Sequence, residues 1–197
     1  MILVVIVAVI FWLIYLIYCT IMVSPRFDSY LYLDGGQSLL PVNGFEPEFT
    51  PERWVQNRKY NNCYAYALDN HKWRESKPQP NNVDAERYNC SDLKRWIQSD
   101  LVDGDGNKYP LKVWGRDIRC PDGYHKIYLV VSGDDYHFYR QDSDGMWSHK
   151  PGSNGVTRLD AKGREIADPS EADHDYGEYN YKDRCGFMCV PKIDEKF

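Results

Sequence analysis

The chain has 197 residues, 29 acidic against 24 basic, a net charge of -5 and 43% hydrophobic residues. That acidic balance, with no Lys/Arg stripe, excludes a basic nucleic-acid binder, and 16 Tyr, 6 Trp and 7 Phe argue against a wholly disordered tail. The absence of a second long apolar run excludes a multi-pass transporter.

From Met1 to Val23 only Thr20 falls outside the hydrophobic set. As a helix, Ile2 to Val23 would span about 33 Å at 1.5 Å per residue, enough to cross a hydrocarbon core of about 30 Å. The run has no basic residues before it and no small-x-small site after it, so it predicts an uncleaved single-pass anchor over 1–23 rather than a cleaved signal peptide. The membrane is then an expected partner. Arg26, the nearest basic side chain, lies on the C-terminal side and by the positive-inside rule favours a cytoplasmic globular part.

Residues 24–58 read as an irregular extension, punctuated by Pro25, Gly35-Gly36, Pro41, Gly44, Pro47 and Pro51. Thr50-Pro51-Glu52 has the form of an N-cap, a proline at the first helical position and an acid in the first turn, so a short helix is predicted through Trp54. Residues 59–197 are expected to form one domain. Asn61-Asn62-Cys63-Tyr64-Ala65-Tyr66-Ala67-Leu68 reads as a helix capped by Asn61 or Asn62. After a polar connector, Leu93, Trp96, Ile97 and Leu101 recur at helical spacing, with Asn89 or Ser91 as cap. Asp103-Gly104-Asp105-Gly106-Asn107 ends that helix as a turn.

The period then changes. Lys126 to Val131 is apolar on both faces and predicts a central strand. Tyr136 to Gln141 and Met146 to Lys150 follow as strands, separated by Gly133-Asp134-Asp135 and Asp142-Ser143-Asp144-Gly145. Gly186 to Val190 predicts a last strand. Helices followed by an antiparallel β-meander imply an α+β domain. The acidic run Glu171 to Glu178, with His174 inside it, reads as a solvated loop.

Cys63 stands at the start of its helix, where unpaired N–H groups and the helix dipole favour a thiolate nucleophile. A thiol hydrolase also needs an imidazole and a group to orient it. The strands offer His125, His137 and His149, at two equal intervals of 12 residues. Two assignments therefore fit: His125 as base with His137 as orienter, or His137 as base with His149. A two- or four-residue turn would place His149 on the opposite face from His137, so that pairing needs a bulge or an odd-length loop. Gln141, on the same face as His137, is a reserve polar group.

The order of a helix-start Cys, a strand-start His and a polar residue on the next strand resembles the NlpC-like branch of papain-like cysteine peptidases and amidases. Asn62-Cys63-Tyr64-Ala65-Tyr66-Ala67, Asp135-Tyr136-His137-Phe138-Tyr139-Arg140-Gln141-Asp142 and Trp147-Ser148-His149-Lys150-Pro151-Gly152 also resemble segments of uncharacterised bacterial and large-DNA-virus proteins. The likeness implies a papain-like fold and a membrane-anchored thiol hydrolase acting on a peptide or amide substrate. Cys63, His137 and His149 would be its catalytic residues, with His125 the alternative base. The departure is at the nucleophile, where the usual Asp-Cys-Ser-Gly is replaced by Asn62-Cys63-Tyr64. The competing expectation is a non-catalytic, membrane-anchored binding or structural protein on the same fold.

No cofactor and no nucleotide partner are expected, because no glycine-rich phosphate loop is present. The start of an EF-hand loop at Asp103 fails at Lys108 and Trp114. The single close cysteine pair, Cys185 and Cys189, is a poor basis for zinc. With Cys19 in the apolar run and Cys63 set aside, Cys90, Cys120, Cys185 and Cys189 could form two disulfides in any of three pairings outside the cytosol, or remain thiols inside it.

Overall fold

A computed structural model describes Trp12 and residues 39–56, 58–70 and 77–192. The anchor predicted over 1–23 and most of the irregular extension before Leu39 therefore lie outside the described residues. Among those that are described, no helix is long and apolar enough to cross a membrane.

Five antiparallel strands build one sheet in the order β1-β5-β2-β3-β4. They are β1 (Lys112–Val113), β2 (Tyr124–Val131), β3 (Tyr136–Gln141), β4 (Trp147–His149) and β5 (Asp183–Pro191). β2 is buried along its whole length because β3 and β5 flank it on both sides. Its both-faced apolar character is the sequence mark of that central place.

The helices are few. Pro51–Trp54 forms one turn of 3-10 helix with proline at its start, and the Thr50 side chain does not cap it. Helix α1 (Cys63–Ala67) is capped by Asn62, whose Oδ1 accepts from the Ala65 N–H at 3.1 Å. It ends after five residues. Asp69 adopts φ +53, the Asn70 N–H donates back to the Ala65 carbonyl at 3.0 Å, and the Asp69 N–H donates to the Tyr66 carbonyl at 3.1 Å. This is the closing geometry of a helix C-terminus in which the left-handed residue is normally Gly or Asn. Helix α2 (Cys90–Asp100) is capped by Asn89, which accepts from the Asp92 N–H at 3.0 Å.

Each face of the sheet carries a different cover. Ile127, Leu129, Phe138 and Met188 pack on the helical side against Tyr64, Leu93 and Ile97. On the other face, Tyr128, Tyr139, Trp147 and Phe187 pack against Ile166, Ala172 and Tyr181 of the long irregular segment before β5. Two disulfides fasten β5: Cys90–Cys185 to the start of α2, and Cys120–Cys189 to the approach to β2. Cys185 is the extra residue where the β2–β5 register shifts, and Gly186 beside it sits at φ +92, a conformation that strains any other side chain.

The expectation of an α+β papain-like domain is corrected here, while the transmembrane helix expected over 1–23 falls outside the described residues apart from Trp12. The described chain is a small antiparallel sheet with two disulfides and few helices. The Cys63 helix is stopped by the left-handed turn at Asp69 before it can form a helical layer. β2, β3 and β4 form the expected antiparallel meander, and β5 inserts between β1 and β2. The cytoplasmic placement favoured by Arg26 also gives way, since disulfides persist in oxidising compartments.

The disulfides close spans of 95 and 69 residues. Replacing Cys90 and Cys185 together by Ser is expected to lower unfolding free energy by about 2–5 kcal/mol, read as a lower urea midpoint. Reducing agent should then cost the variant less stability than it costs the parent chain.

Candidate functional site

The structure brings Cys63 and His137 to one cleft and pairs His137 with His149. Cys63 and His137 line the same cleft, of about 600 Å³, and His149 stands directly behind His137. The odd loop length makes this possible. β3 and β4 pair with Tyr139 opposite His149 and Gln141 opposite Trp147, so the five residues 142–146 form the loop and both histidines fall on one face. The Asp142 N–H donates to Met146 O at 2.9 Å, and Gly145 sits at φ +88. His125 is elsewhere. It is buried on β2, with Nε2 on the Ala67 carbonyl at 2.7 Å and Nδ1 without a hydrogen-bond partner. Gln141 is also taken up, donating to the Leu40 carbonyl at 2.8 Å.

The pair His137–His149 has one consistent proton arrangement. His149 Nε2 lies 2.9 Å from the Leu159 carbonyl, which can only accept, so Nε2 carries the hydrogen. His149 Nδ1 is then an acceptor, and the 2.7 Å contact to His137 Nε2 makes His137 the donor. His137 Nδ1 keeps a lone pair. Burial holds both rings neutral, pushing His137 well below the ordinary imidazole range and His149 down to about 4. His174 is bound in the same way. Its Nε2–H points to the Pro169 carbonyl at 2.9 Å and its Nδ1 accepts from the Tyr139 hydroxyl at 2.8 Å. This residue was expected in a solvated loop; it is 5% exposed.

Cys63 occupies an open edge. β4 stops opposite Tyr139, so over Tyr136–Phe138 β3 pairs with β2 on one edge and has no strand on the other. The Cys63 thiol faces that gap and donates weakly to the Tyr136 carbonyl at 3.9 Å. Burial is the largest influence on its acidity and the charge of Asp135 adds to it, so the thiol is pushed up to about 12. Nearby N–H groups of Phe138 and Tyr64 and the charge of Lys150 pull the other way without prevailing. The helix-start position that promised a thiolate is outweighed by desolvation.

Two buried cations hold α1 in place. The fully buried Arg140 donates to Asp69 at 2.8 Å and Asp142 at 3.1 Å, and its guanidinium lies 4.0 Å over the Tyr66 ring. Lys150 Nζ donates to the carbonyls of Arg58, Asn61 and Gly152 at 2.9, 2.7 and 2.7 Å, fixing the chain that enters α1. Its ammonium is pushed down to about 8 by burial.

The cleft also holds residues that sequence reasoning did not single out. Tyr88 and Tyr136 form one wall with their rings 4.9 Å apart, and the Tyr136 hydroxyl donates to Gln79. Tyr176, Tyr179 and Tyr181 form the other, with Tyr179 and Tyr181 stacked at 6.2 Å. Asp84, Asp134, Asp135 and Glu178 supply four carboxylates against one amine, Lys77. Of the three tyrosines only Tyr176 falls inside the acidic run Glu171 to Glu178 that the sequence marked. Among the described residues no group of three or more His, Cys, Asp or Glu could hold a metal ion.

Two measurements follow from this chemistry. At pH 8 the thiolate fraction of a thiol at about 12 is roughly a thousandfold below that of one at 9.0, so native Cys63 should alkylate about a thousandfold more slowly than in urea. The second concerns acid stability. His125 and His149 are both held down to about 4 from 6.5, so below pH 6.5 the unfolded chain takes up protons that the folded chain refuses. Unfolding free energy should therefore fall from pH 6.5 to about pH 4, by on the order of 3 kcal/mol per histidine. Urea titrations of His125→Phe should show a shallower loss across that window.

No family model matches the chain, and no solved structure matches it. Over 149 residues, 72% of this chain and 88% of the other, it is 34% identical to insoluble matrix shell protein 1 of Ruditapes philippinarum. That kinship, with a buried and protonated Cys63, overturns the expectation of a membrane-anchored thiol hydrolase. At this identity and coverage the chain belongs to the family of insoluble matrix shell protein 1.

Proposed function

We propose that the chain is a secreted structural protein of an extracellular matrix, a disulfide-braced binding and packing unit without hydrolase activity. The observation that carries this reading is the kinship with a shell matrix protein along 88% of that protein's length. The two disulfides support it, because such bonds form and persist in oxidising surroundings. So does the state of Cys63: a protonated thiol against the open edge of β3 serves packing better than nucleophilic attack. In this reading the likeness to NlpC-like enzymes is one of residue order around the cleft. His137 and His149 give the cleft a rigid polar floor.

The test is expression of the full chain in a secreting animal cell, followed by separation of medium, deposited matrix and membranes. The expected result is recovery in the medium or the matrix, with Cys90–Cys185 and Cys120–Cys189 found by non-reducing peptide mapping. Cys63→Ser should be recovered in the same fraction and amount. Retention in membranes through an alkaline wash, or four free thiols at those positions, would falsify the proposal.

A further inference from the structure

Two acceptor atoms on the residues that line the cleft have no hydrogen-bond partner among the described residues, and the four carboxylates face a single amine, Lys77. His137 is 5% exposed, and its Nε2–H is committed to His149. Its Nδ1 lone pair has no partner among the described residues and lies on the cleft. Asp135 is alike: the Tyr181 hydroxyl donates to Oδ2 at 2.6 Å, while Oδ1 accepts nothing among the described residues. A ligand that completes these groups must bring hydrogen atoms, and beside four carboxylates it gains by bringing positive charge. An anion fails on both counts, since His137 has no N–H left to give it.

The walls limit the shape of that cation. Tyr88 and Tyr136 stand on one side, and Tyr179 and Tyr181 on the other. Aromatic faces suit an alkyl stem, and they also attract an ammonium through the ring quadrupole. The same chain already shows that pairing on its surface, where Lys112 Nζ sits 4.5 Å over the Tyr124 ring.

We infer that this cleft is a recognition pocket for a primary ammonium group on an alkyl stem, supplied by a lysine side chain of a partner polypeptide. The ammonium donates to His137 Nδ1 and to the Asp135 carboxylate, and the stem lies between the tyrosine walls. A polypeptide is chosen as the source because the inference rests on the reading of this chain as a matrix-binding unit. Cys63 and His149 act as positioning residues, one seated against the edge of β3 and the other fixing the His137 tautomer.

The experiment uses the full chain purified from the secreting cell. It is titrated with Nα-acetyl-lysine methylamide, with the norleucine analogue as the uncharged counterpart, and with a neutral oligosaccharide. Binding is followed by calorimetry and by the ¹⁵N resonances of the histidine rings. Saturable lysine binding is expected, at least about tenfold tighter than norleucine, with the His137 Nδ1 resonance moving and that of His125 unchanged. Asp135→Asn should weaken it about tenfold, and Glu178→Gln, at the exposed rim, about threefold. Absence of saturable lysine binding, equal binding of norleucine, or preference for the oligosaccharide overturns the pocket. So does unchanged affinity in both variants. Failure of binding in a chain still deposited outside the cell sinks the pocket alone, whereas retention in membranes sinks the matrix reading that names its partner.

Discussion

The pairing of β5 with β2 is the constraint on which the rest of this molecule rests. β5 comes from the end of the described chain, yet it lies between β1 and β2 and completes the burial of the central strand. Such a long-range pairing carries a loop-closure cost that local contacts do not offset. The two disulfides reduce that cost by constraining the unfolded chain, and both end on β5. One ties it to α2, which covers the helical face. The other ties it to the approach to β2.

From that frame the cleft follows by a short chain of contacts. β2 positions β3, and the five-residue loop after β3 brings β4 back in the register that puts His137 and His149 on one face. Arg140 reaches from β3 to Asp69 and clamps the end of α1, while Lys150 holds its entrance. Cys63 therefore arrives where β4 has run out. The segment before β5 crosses the opposite face and contributes Tyr176, Tyr179 and Tyr181. The buried cations, imidazoles and thiol are satisfied mainly by the chain's own carbonyls, carboxylates and hydroxyls, which suits a site built for rigidity.

Desolvation decides what that site does. The same three residues, in a wetter setting, would offer a thiolate and a titrating imidazole. Here burial keeps Cys63 protonated and the histidines neutral across the physiological range. What the cleft presents is His137, the carboxylates and the tyrosine faces.

Local patterns in the sequence were enough to narrow the helix caps to Asn61 or Asn62 and to Asn89 or Ser91, and to place the buried β2, the span of β3 and the approximate position of β4, because each depends on neighbours within a few residues. They also drew attention to Cys63, His137 and His149 as a group. Tertiary structure alone decided the pairing of the four cysteines, the place of β5 and the stop of α1 at Asp69. It also decided the burial of His174 and the acidity of Cys63. Those outcomes depend on which distant segments meet, and on how much water they exclude when they do. A run such as Glu171 to Glu178 is acidic by composition, yet it buries a histidine because the partner, Tyr139, is 35 residues away.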